Sequence, residues 1–99
     1  MDYLDNYDIK LLEENEIGLY TKKLVEAFEL EECYGLYLED NINNLNRGNI
    51  FLGAKLIKNG LLIGGICLER KPIYKNEIYI ENLFVDSKYR NQGVASNII

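Results

Sequence analysis

Asn59-Gly60 stands between two apolar runs, Ile50–Lys58 and Leu61–Arg70. It constrains this chain more than any other dipeptide. Asn-Gly in that setting predicts a tight β-hairpin, because a two-residue turn needs positive φ at both positions. The second run contains Leu61-Leu62-Ile63-Gly64-Gly65-Ile66-Cys67-Leu68, apolar on both faces. A strand of that kind is buried from both sides and belongs in the middle of a sheet. Gly64 and Gly65 would weaken it unless something approaches closely or the strand bends.

Further elements follow from periodicity. Tyr7–Leu12 reads as a first strand. Asn15 is a candidate N-cap for a helix from about Glu16 to Leu30, whose apolar stripe is Ile17, Tyr20, Leu24, Ala27 and Phe28. Glu32 to about Leu45 is a second helix, ended by Asn41, Asn43, Asn44, Asn46 and Gly48. Glu77–Val85 is a strand with Ile78, Ile80, Asn82 and Phe84 on one face and Tyr79, Glu81, Leu83 and Val85 on the other. The loop Asp86–Gln92 leads into a helix near Gly93. The order β-α-α-β-β-β-loop-α is an α+β layout on a mostly antiparallel sheet, with helices packed on it, in one domain spanning residues 1–99.

Composition excludes several chemistries. The chain has 99 residues, no histidine and two cysteines, Cys33 and Cys67, far apart in sequence. A Ser-His-Asp triad, a Cys-His nucleophile and a zinc site are therefore not expected. Both cysteines read as core thiols. A net charge of −5 argues against nucleic acid as a partner and is compatible with a cationic substrate such as an amine. No apolar run is long enough to span a bilayer, and the acidic N-terminus lacks a signal-peptide pattern, so a cytoplasmic location is the expectation.

The segment Leu83-Phe84-Val85-Asp86-Ser87-Lys88-Tyr89-Arg90-Asn91-Gln92-Gly93-Val94-Ala95 places a strand end, a polar loop and a helix start in succession. Free N–H groups at a helix start favour an anion. Gly93 permits close approach, and Arg90 adds a charge for a phosphate.

Arg90-Asn91-Gln92-Gly93-Val94-Ala95, after a strand ending in Leu-Phe-Val, resembles the pyrophosphate loop of the GNAT N-acetyltransferases, Arg/Gln-x-x-Gly-x-Gly/Ala. Tyr79–Val85 resembles the family's fourth strand, and the element order matches its first two thirds. The resemblance implies an enzyme that uses acetyl-CoA as co-substrate and transfers its acetyl group to a primary amine by direct attack. It implies a pantetheine arm along Leu83, Phe84 and Val85, and a pyrophosphate on the backbone of Asn91, Gln92, Gly93, Val94 and Ala95 beside Arg90.

Direct attack needs a base to take the amine's proton. Glu81 is the candidate, in an Ile-Glu-Asn-Leu setting similar to family members acting on small amines. The alternatives are a solvated strand residue or a cross-strand partner of a lysine. Tyr34 and Tyr37 either border the acceptor pocket, as the family's first helices do, or simply pack on the helix surface.

The resemblance also implies a longer domain, with further strands and helices carrying a general-acid tyrosine and an asparagine that contacts CoA. The expectation is a fragment or truncated frame, or a chain completed by a homodimer through the exposed edge of the strand ending at Val85. Two other functions stay open: a non-catalytic CoA-binding or regulatory module, and an interaction domain that recruits a partner strand.

Overall fold

The computed structural model describes residues 6–70 and 78–99, with Arg70 described by its backbone alone. Four strands, β1 (Tyr7–Leu11), β2 (Ile50–Leu56), β3 (Leu62–Arg70) and β4 (Ile78–Val85), form one sheet in the order β1-β2-β3-β4. Every neighbouring pair is antiparallel. Helices α1 (Ile17–Ala27) and α2 (Tyr34–Asn46) cover one face, and the short α3 (Val94–Ile98) touches the other. The expected α+β layout is therefore observed. Glu77, the expected first residue of the last strand, lies outside the described residues. No helix among the described residues is long and apolar enough to cross a membrane.

Two apolar clusters sandwich the sheet. Leu12, Ile17, Tyr20, Leu24, Phe51, Leu62, Cys67 and Phe84 form the one under α1. Ala54, Leu56, Ile63, Ile66, Val94 and Ile98 form the one under α3. Residues 62 to 67 of β3 are all buried, as a central strand requires. Each fully buried Leu, Ile or Phe stabilises the fold by roughly 1.5–3 kcal/mol.

Several sequence expectations change in physical detail. The hairpin is wider than a two-residue turn. Gly60 N–H donates to Leu56 O at 2.7 Å, and Leu56 N–H to Leu61 O at 2.9 Å. Gly60 has φ 72, whereas Asn59 is not left-handed and instead accepts the Leu61 N–H on its side-chain oxygen at 3.0 Å. The loop is four residues long, and one positive φ closes it.

Asn15 does not cap α1. It lies inside a 3₁₀ turn, Glu14–Glu16, and Glu13 and Glu16 form a reciprocal capping box in its place. The helix stops at Ala27, three residues early. Glu29 turns left-handed at φ 57, and Leu30 N–H closes back on Val25 O at 2.7 Å. Phe28 leaves the apolar stripe and is 53% exposed.

The asparagines expected to break the second helix are inside it. Asn41 and Asn44 are buried and partnered: Asn41 Nδ2 donates to Thr21 Oγ1 at 2.9 Å, and Asn44 Oδ1 accepts from Arg47 and Asn49. Asn41 is satisfied by tertiary contacts that local propensity does not see, and Asn44 by two residues just past the helix end.

Strict alternation fails in β4. Gly65 pairs with Phe84 and Cys67 with Glu81, so β3 advances two residues where β4 advances three. The extra residue is a β-bulge, and Asn82 within it has φ 52. Cross-strand partners share a face. Glu81 therefore shares the α1/α2 face with Cys67, and Phe84 joins it there. Leu83 and Val85 pack with the cluster on the other side. The expected grouping of Phe84 with Ile80, and of Glu81 with Leu83 and Val85, is replaced by this one.

Candidate active site

The bulge separates two parts of β4. Tyr20 Oη donates to the backbone oxygen of Asn82 at 2.6 Å, and Asn82 Nδ2 donates to Asn41 Oδ1 at 3.2 Å. Thr21 completes the chain of bonds, its hydroxyl donating to Ile17 O at 2.8 Å. Burial pushes the Tyr20 hydroxyl far above its ordinary titration range, so it stays a donor at any working pH. Its ring meets Phe51 and Phe84 edge-on, with centroids 5.1 and 5.4 Å away.

After the bulge, β4 runs into a cleft of ≈ 500 Å³. Leu83, Phe84, Val85, Arg90, Asn91, Gly93, Val94 and Ala95 line it. Gln92 does not, and its amide instead donates to Lys88 O at 3.2 Å. One wall is apolar strand and the other is loop. A 3₁₀ turn, Ser87–Tyr89, begins that loop, its first N–H groups met by Asp86, which accepts from Lys88 N–H at 2.9 Å. Asn91 has φ 63 and Gly93 φ 80, so two left-handed residues turn the chain into α3. A Cβ at Gly93 would meet nothing within 4 Å, but the backbone there favours glycine.

Arg90 braces the cleft. Its Nε donates to Val85 O at 3.1 Å and an Nη donates to Ala27 O at 2.9 Å. The guanidinium thus ties the end of β4 to the C-terminus of α1, where its charge also complements the helix dipole. These bonds occupy two of five N–H donors.

Ala27, Phe28, Tyr89 and Ser96 also line the cleft and were not singled out from the sequence. Phe28 carried a signal of its own, an aromatic at the end of a helical stripe, but periodicity assigned it to the core.

Glu81 does not line this cleft. It lies before the bulge, opposite Cys67. The Cys67 thiol is pushed up to about 12, first by burial and then by the Glu81 and Glu69 carboxylates. Cys67 is a core thiol as expected, whereas Cys33, at the start of α2, is only half-buried. Tyr34 lines a separate shallow hollow with Lys22, Val25, Glu26 and Glu31, and Tyr37 packs on the α1 cluster. The structure places neither tyrosine in the cleft.

The Acetyltransferase (GNAT) family model matches residues 12–99. The chain belongs to the GNAT acetyltransferase family. Solved GNAT structures carry the same fold. A GNAT-family acetyltransferase of Desulfovibrio desulfuricans superposes with TM-score 0.75 at 13% identity, over 94% of this chain and 60% of that one. An aminoglycoside acetyltransferase, HMB0005, from an uncultured soil metagenomic sample gives TM-score 0.67 at 28% identity, over 94% and 66%. An acetyltransferase of Pyrococcus horikoshii gives 0.76 at 15%, over 99% and 34%. The chain thus spans less than two thirds of the length of each. No curated protein matches the sequence.

Proposed function

We propose that this GNAT domain binds acetyl-CoA and transfers its acetyl group to a primary amine. The observation that supports the reading is the cleft between the last turn of α1 and the β4–α3 loop. An apolar wall of Leu83, Phe84 and Val85 suits an alkyl arm. The loop from Arg90 to Ala95 suits an anion, with the Arg90 guanidinium beside it.

When bound, acetyl-CoA supplies an activated acyl group. Glu81 accepts the proton of the attacking amine, directly or through water, which leaves the nitrogen lone pair free to attack. Tyr34 and Tyr37 border the acceptor side, on the α2 helix that covers the same face as Glu81. The soil-sample relative acts on aminoglycosides and is 28% identical, so polycationic amino sugars head the list of acceptors. A net charge of −5 favours their approach.

Calorimetric titration with acetyl-CoA, followed by a free-thiol release assay over a panel of amines, tests the reading. Saturable binding and amine-dependent thiol release are expected. Binding without release favours a CoA-binding module, and no binding overturns the proposal.

The outer side of β4 favours a second reading. Among the described residues β4 pairs on one side only, and Ile78, Tyr79 and Ile80 are exposed along it. Such an edge suits strand addition by a second copy or another chain. Light scattering at rising concentration tests it, and a monodisperse monomer throughout would exclude the homodimer.

A further inference from the structure

The bulge at Asn82 does more than bend β4. Positions 81 and 84 are an odd number of residues apart, so on a regular strand their side chains would stand on opposite faces. The extra residue brings Glu81 and Phe84 to the same face and sends Leu83 and Val85 to the other. The spatial relation between the carboxylate before the bulge and the cleft wall after it is thus set by one left-handed residue.

Among the described residues, the bonds that hold Asn82 come from outside β4. A non-glycine residue at positive φ persists where its surroundings over-determine it. Here the surroundings are α1 and α2. Tyr20 holds the Asn82 carbonyl and Asn41 holds its side chain. Both are fully buried, and neither lines the cleft. The Tyr20 ring is locked by Phe51 and Phe84, and β3 makes room for it with Gly65, where a Cβ would fall 2.6 Å from the ring. Asn41 is in turn fixed by Thr21. Two helices and two strands converge on one residue.

We propose that Tyr20 and Asn41 are positioning residues for acetyl transfer. They hold the Asn82 bulge and thereby set Glu81 against the cleft wall. The inference rests on the proposed function for its catalytic consequence, and on the register of β4 for its structural one.

Tyr20→Phe in the full chain keeps the ring and removes the O–H donor. One buried hydrogen bond is worth about 0.5–1.5 kcal/mol, which converts to a fall in kcat of up to roughly tenfold if it acts through Glu81. KM for acetyl-CoA should change less than about twofold, since the Arg90 loop is untouched. The acid limb of the pH–rate profile should move. The double variant Tyr20→Phe/Asn82→Gly should recover most of the lost kcat, because glycine takes positive φ without a clamp. An unchanged kcat in Tyr20→Phe, or a loss that Asn82→Gly does not relieve, overturns the proposal.

Cross-strand nuclear Overhauser contacts give an independent readout. The wild type should show the Cys67–Glu81 and Gly65–Phe84 pairs together. Tyr20→Phe should weaken one of them, and the glycine variant should restore it. Retention of both pairs at full strength in Tyr20→Phe overturns the clamp whether or not the wild type turns over. Absence of turnover in the wild type counts against the proposed function alone.

Discussion

Arg90 reaches the backbone oxygen of Ala27 at 2.9 Å, so the loop after β4 is tied to the last turn of α1 across 63 residues of chain. The same guanidinium holds Val85 O at 3.1 Å. The residue expected from the sequence to meet a phosphate is therefore also a brace for the cleft itself.

Removing that brace has two separable effects. Arg90→Ala should lose about 1–2 kcal/mol of stability through its two hydrogen bonds and also weaken acetyl-CoA binding. Arg90→Lys keeps the charge but cannot span both carbonyls with one ammonium. It should lose similar stability and retain more affinity. Thermal melts and calorimetric titration of both variants check this.

Glu81→Gln keeps the size of the side chain and removes the base. Turnover should fall about a hundredfold or more. Acetyl-CoA affinity should be nearly intact, because Glu81 does not line the cleft. The pH–rate profile should lose its acid limb. An unchanged profile would remove Glu81 from the mechanism.

Gly65→Ala places a methyl group 2.6 Å from the Tyr20 ring and 3.0 Å from that of Phe84. The Tyr20 ring is fully buried and wedged edge-on between Phe51 and Phe84, so it cannot swing aside. Overpacking of this kind costs about 1–3 kcal/mol. Urea denaturation should show a lower midpoint with an unchanged slope.

Lys55 pairs with Glu16 beside the capping box. The Lys55 ammonium first, and then the Glu13 N–H, hold the Glu16 carboxyl below the usual carboxylate range. The folded pKa is depressed, so the stability it brings is present at neutral pH. It is lost as pH falls through the folded value. Both side chains are 24% exposed, and the pair is worth about 0.2–1 kcal/mol. The gap in urea midpoint between wild type and Glu16→Gln should therefore be largest near neutral pH and close in acid.

The two thiols should differ sharply in reactivity. Cys67 is fully buried and its thiol is pushed up to about 12, whereas Cys33 is half-buried. A disulfide reagent at mildly alkaline pH should label Cys33 in the native protein, and Cys67 only on unfolding. Equal rates would contradict the packing of β3 under α1.

Element order and sheet direction were legible because they rest on local signals. Apolar periodicity marked α1, the Asn59-Gly60 pair marked the turn, and two-sided apolarity marked β3 as central. The residue set of the cleft was largely legible too, since Leu83 to Ala95 is one continuous stretch and a continuous stretch needs no partner to be recognised. What escaped was whatever depends on a distant residue. Asn41 read as a helix breaker and became a buried bonding group, because Thr21 and Asn82 supply partners 20 and 41 residues away. Phe28 read as core and became a cleft wall, because α1 ends before it. The face of Glu81 depended on a bulge with no local signature beyond an asparagine, held by a hydroxyl 62 residues away. Hydrophobic pattern alone determined which segments are strands and helices and which strand is buried on both faces. Only long-range hydrogen bonding decided how one extra residue in β4 divides that strand between the carboxylate and the cleft.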